Sequence, residues 1–120
     1  MKSLKGTKTA ANLLKSFAGE SQARMRYTYY AEVAKKQGYV QIANIFMETA
    51  EQEREHAKRF FNFLTADYND EAIEIQAAYP VALYDDTKAN LKAAAHGEHE
   101  EWSDMYPSFA QIAKEEGFLE

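Results

Sequence analysis

The chain has 120 residues, a net charge of −5 and no cysteine. That length points to a single domain with a core of its own. The missing cysteine excludes a disulfide framework, thiolate zinc sites, iron–sulfur clusters and a cysteine nucleophile. With only 5 Gly and 2 Pro, and abundant Ala, Glu, Lys and Gln, the composition favours long helices over strands. No basic run offers a footprint for phosphates, so nucleic acid is not an expected partner. No stretch approaches the roughly 20 apolar residues that cross a bilayer, and residues 1–6 carry charge without an apolar core. No membrane partner and no signal peptide are expected, and the expected location is cytoplasmic.

A first helix is predicted from Ala10, capped by Thr9. Its apolar stripe runs through Leu13, Phe17, Tyr27, Ala31 and Ala34, and Gly38 after Lys35-Lys36-Gln37 reads as its end. A second helix is predicted over 40–64, with Ala43, Phe46, Ala50, Ala57, Phe60 and Leu64 on one face. The link at Gly38-Tyr39 is short, so the two helices should be antiparallel neighbours. Residues 65–84 read as a long crossover pinned by Ile73, Ile75, Tyr79, Val81 and Leu83. A third helix starts at Asp86 or Thr87, with Leu91, Ala94, Met105, Phe109 and Ile112 facing inward. Pro107 lies inside it, which predicts a kink or a π-bulge.

Two stretches match at an offset of 79 residues: 31–39 with 110–118, and Tyr27-Thr28-Tyr29-Tyr30 with Tyr106-Pro107-Ser108-Phe109. The first and third helices therefore read as copies, and a further helix is expected from residue 119. The alternative is chance likeness between two amphipathic helices ending in Gly-aromatic.

Charged residues interrupt the apolar stripes. Glu20 lies midway between Leu13 and Tyr27, Glu53 between Ala50 and Phe60, and Glu98 between Leu91 and Met105. His56 follows Glu53 by three residues and Glu101 follows Glu98 by three, one turn along the same faces. Buried carboxylates cost several kcal/mol each unless paired or metal-bound. Arg24 is the one cation able to approach, and it does not balance four carboxylates. Glu-x-x-His joined by further Glu from neighbouring helices is the donor set of di-iron and di-manganese bundles. His96 and His99 read as exposed, with His99 a minor ligand candidate. Tyr27 and Tyr106 read either as hydrogen-bond donors or redox buffers beside the ligands, or as aromatic packing.

The segments Phe17-Ala18-Gly19-Glu20-Ser21-Gln22-Ala23-Arg24, Glu48-Thr49-Ala50-Glu51-Gln52-Glu53-Arg54-Glu55-His56, Gly97-Glu98-His99-Glu100-Glu101 and Met105-Tyr106-Pro107-Ser108-Phe109-Ala110 strongly resemble rubrerythrin. The resemblance runs over essentially the whole chain. It implies an all-α, ferritin-like four-helix-bundle architecture, with three long helices present and a crossover between the second and third. It implies one domain over 1–120, cut short before its fourth helix. The implied cofactor is a pair of Fe ions bridged by oxo and carboxylate groups, with Mn or Zn as substitutes. Carried over by motif, Glu20 is a terminal ligand of one iron, Glu53 a bridge and Glu98 a ligand of the second. Glu101 and His56 match the pair between which one iron moves as its oxidation state changes.

The implied activity is a non-haem di-iron peroxidase that reduces hydrogen peroxide to water in oxidative-stress defence. Alternatives are a ferroxidase or iron-binding protein, or a metal-binding helical fragment without turnover. Two departures bear on this. The fourth helix would supply a second Glu-x-x-His, so the five candidates fall short of the family's ligand set. The rubredoxin-like tail is also missing, which calls for an external electron donor such as rubredoxin. A homodimer, or association with a separate fourth-helix segment, would complete the ligands.

Overall fold

The computed structural model describes residues 3–118, the side chain of Trp102 excepted. Its ordered elements are helical: α1 (Lys8–Lys36), α2 (Val40–Thr65), α3 (Thr87–Glu100), a π-helical turn (Glu101–Met105) and α4 (Tyr106–Glu115). The last three join end to end into one rod, so the described residues form three rods, with extents of 51 × 28 × 22 Å. The helix expected from residue 119 lies outside the described residues. No helix among the described residues is long and apolar enough to cross a membrane.

Helix α1 begins two residues earlier than its sequence suggested. Its cap is Thr7, whose side chain accepts from the Ala10 N–H; Thr9 is instead buried, with its hydroxyl donating to Glu116. Gly38 adopts φ +87°, a left-handed turn that a side chain disfavours, and the chain reverses at once into α2. Helix α3 is capped by Asp86, which accepts from Ala89 N–H at 3.0 Å. The predicted bulge occurs as the π turn just ahead of Pro107. Proline lacks an N–H and clashes with the preceding turn, so widening the helix there relieves a fault that a regular α-helix would carry.

The core is built between α1 and α2 around Tyr30, Ala34, Ala50 and Phe46. Tyr30 and Ala34 are wholly buried, and small alanines let the two helices approach closely. The third rod is packed differently. Helix α4 buries no residue fully, and α3 buries only Thr87 and Asn90. Leu91, expected inside, is 42 % exposed.

Residues 66–86 form an extended strap along α1. Ile73 and Tyr68 pack against the Leu4, Ala10 and Leu64 cluster, and polar ties add to this: Tyr79 Oη donates to Lys15 O at 2.9 Å, and Tyr30 Oη donates to Ala82 O at 2.7 Å. Val81 and Leu83 are exposed and do not pin it.

Candidate metal centre

Helical periodicity places Glu20 and Glu53 on the facing sides of α1 and α2, and both are buried, at 5 % and 6 % exposure. His56, one turn beyond Glu53, brings its Nδ1 to 3.9 Å from an oxygen of each. The ligand-type atoms of these three residues lie within 4.8 Å of one another. At 3.9 Å the imidazole is too far to hydrogen-bond either carboxylate. Its side chain is 48 % exposed, so it sits at the mouth of the cluster and not on the inward stripe that its spacing suggested.

The third rod adds Glu98 and Glu101. Tyr27 of α1 donates to Glu98 Oε1 at 2.9 Å, and Tyr106 of α4 donates to Glu20 Oε1 at 2.6 Å. The two bonds cross: each rod's tyrosine holds the other rod's carboxylate. The same rings also pack as core aromatics, Tyr27 with Phe46 and Tyr30, and Tyr106 with Phe60. Both readings of the tyrosines therefore apply. Seven residues separate Glu20 from Tyr27, and eight separate Glu98 from Tyr106. The π turn absorbs the extra residue and restores the match. At the 79-residue offset, Glu20 aligns with His99. His99 is exposed, as is His96, and contacts Ser103 Oγ at 3.4 Å.

The electrostatics are those of carboxylates held close together away from water. Burial pushes the Glu20 carboxyl above its ordinary range; the Tyr106 hydrogen bond and His56 work against this, while Glu98 adds to it. Burial, then the charges of Glu20 and Glu98, push Glu101 up to about 7. The phenols of Tyr27 and Tyr106 are raised by burial and by their carboxylate partners, so both stay protonated donors at neutral pH. Arg26 also stands near this group and lowers Tyr27 and Glu101. Arg24 pairs with exposed Glu51 at 3.3 Å. The sequence offered a hint of Arg26: it precedes Tyr27 and follows Gln22 by one turn, and Gln22 accepts from its Nε at 2.7 Å.

The donor set fits a metal. Glu20 Oε2 and Glu53 Oε2 are both buried with no hydrogen-bond partner among the described residues. Each such oxygen carries a desolvation cost that a cation removes. Carboxylate oxygens joined by one imidazole suit Fe or Mn.

Three helical rods, a long crossover and facing carboxylates with a Glu-x-x-His define a ferritin-like protein. The solved structures agree. Nigerythrin in a mixed-valence state superposes with a TM-score of 0.79 at 34% identity, over 97% of this chain and 58% of that one. Nigerythrin in its fully reduced, all-ferrous state gives 0.74 over the same shares.

The family model for rubrerythrin matches residues 11–120, and the chain belongs to the rubrerythrin family. It is 68% identical to rubrerythrin of Clostridium perfringens over 120 residues, and 59% identical to that of Nitratidesulfovibrio vulgaris. Those matches take in all of this chain but 62% and 61% of the relatives' lengths.

Proposed function

We propose that the chain is the metal-bearing part of a peroxidase that reduces hydrogen peroxide to water. The observation that carries this reading is the pair of buried, unpartnered carboxylate oxygens on Glu20 and Glu53 beside His56. Glu20, Glu53, His56, Glu98 and Glu101 would hold the metal, two iron ions by the family's pattern. Once bound and reduced, the pair of irons supplies the two electrons that peroxide takes up.

The protein's own groups do the rest. Tyr27 and Tyr106 fix Glu98 and Glu20 by the crossed hydrogen bonds, so these carboxylates cannot swing away. Reduction of peroxide to two waters consumes two protons. As a metal ligand Glu101 would be ionised, so those protons would enter from solvent. His56 is exposed and not held by a hydrogen bond to either carboxylate, so its ring can reorient. Residues 1–120 act as one domain in this reading. A second copy of the chain, or a further helical segment, completes the ligand set, and an external donor restores the electrons.

The test is metal content per chain with the mass of the assembly, followed by oxidation of the ferrous protein. Rapid oxidation by peroxide with slow oxidation by oxygen supports the peroxidase. The reverse order indicates a ferroxidase. A chain that binds no metal would sink both.

A further inference from the structure

A cavity of about 390 Å³ lies between α1, the third rod and the strap, away from α2. It is open to solvent, and Tyr27 and Glu101 are among the residues that line it. Building on the peroxidase reading, we propose that this cavity is the port through which a small neutral oxidant reaches the carboxylate cluster.

Two glycines shape it. A Cβ on Gly19 would meet the Tyr79 ring at 3.4 Å, so there the strap lies directly against the helix. A Cβ on Gly97 would meet nothing within 4 Å. Glycine is a poor residue for a helix interior, and at Gly97 no close approach requires it. What it leaves is open space. The strap forms the outer wall, with Tyr79 tied to Lys15. The lining is mainly apolar, and Arg26, Glu100, Glu101 and Asp104 are its charged groups, able to hydrogen-bond a small guest. Its formal balance is negative, which disfavours anions, and hydrogen peroxide is neutral at ordinary pH. Met105 also lines the cavity, one turn along the rod from Glu101.

Met105 makes the port measurable without turnover. In the metal-free full chain, peroxide transfers one oxygen to the thioether and leaves as water, a balanced two-electron step. Peptide mass mapping then gives the rate of Met105 sulfoxide formation relative to exposed Met25. Gly97→Leu fills the cavity from the third rod, and Ala78→Trp fills it from the strap, clear of the candidate ligands. Both variants are expected to lower the Met105:Met25 ratio at least threefold. In iron-loaded protein they should lower kcat/KM for peroxide and leave kcat and iron content unchanged. An unchanged ratio in both variants overturns the port. So does a lowered ratio with unchanged kcat/KM, or slowed iron uptake with normal peroxide kinetics, which would mark a cation route. If wild type and variants alike fail to consume peroxide while Met105 is still shielded, the port stands and the peroxidase reading falls.

Discussion

The α1–α2 pair and the third rod are built on different principles. The pair is held by apolar burial: Tyr30, Ala34 and Ala50 are at most 1 % exposed. The third rod has few buried side chains and is tied by polar links. Gln37 accepts from the Thr87 hydroxyl at 2.6 Å and Glu116 accepts from the α1 N-terminus; the crossed tyrosine–carboxylate bonds lie between these ends. The lesson is that half of the candidate site, Glu20 and Glu53 with His56, stands on a rigid frame. The other half, Glu98 and Glu101, stands on a rod held mainly by polar links, at its two ends and at the site.

Disrupting the α1–α2 half should have the largest effect. Glu53→Ala is expected to lower metal affinity more than 100-fold, beyond the 10–100-fold typical of groups that merely support ligands; elemental analysis after dialysis reads this out. Tyr30→Ala should cost about 3–5 kcal/mol, as for a large aromatic removed from a full core, and should unfold the pair as a unit in urea.

Tyr106→Phe attacks the third rod. The lost hydrogen bond to a charged group is worth about 1.5–3 kcal/mol. Amide exchange should accelerate in α4 and the π turn while the α1–α2 core keeps its protection. Equal loss in both regions would contradict the contrast between them.

A smaller effect comes with pH. The folded-state pKa of Glu101, about 7, lies above its ordinary value of 4.5. Between these values the folded metal-free chain binds more protons than the unfolded one, so stability falls as pH rises from 5 to 8. Glu101→Gln should flatten that slope in thermal melts, and Glu20, shifted the same way, accounts for part of what remains. Thr7→Ala should have the smallest effect, about 1 kcal/mol from loss of the α1 cap, without altering metal content.

Local signals were sufficient for much of this. Capping at Asp86, the reversal at Gly38 and the bulge before Pro107 follow from backbone chemistry within one turn. Glu20 and Glu53 are inward because the helical period places them on apolar stripes, and both are buried as expected. Thr9 was misjudged because Glu116, 107 residues away, takes its hydroxyl. Leu91 was misjudged because a helix's inward face depends on what is packed against it, and His56 stands with Glu20 and Glu53 at an exposed position for the same reason. Around Leu91 the third rod is only loosely covered.

The sequence by itself determined the helices, their turns, the strap and the angular position of each carboxylate, since these follow from a 3.6-residue period and from residues such as Gly and Pro. Only the tertiary structure decided which carboxylates meet, that the tyrosines cross between rods, that Arg26 stands near the cluster, and that a cavity borders it. Spacing along a helix fixes direction around its axis. Distances between helices are set by how their side chains pack together, and no local signal contains them.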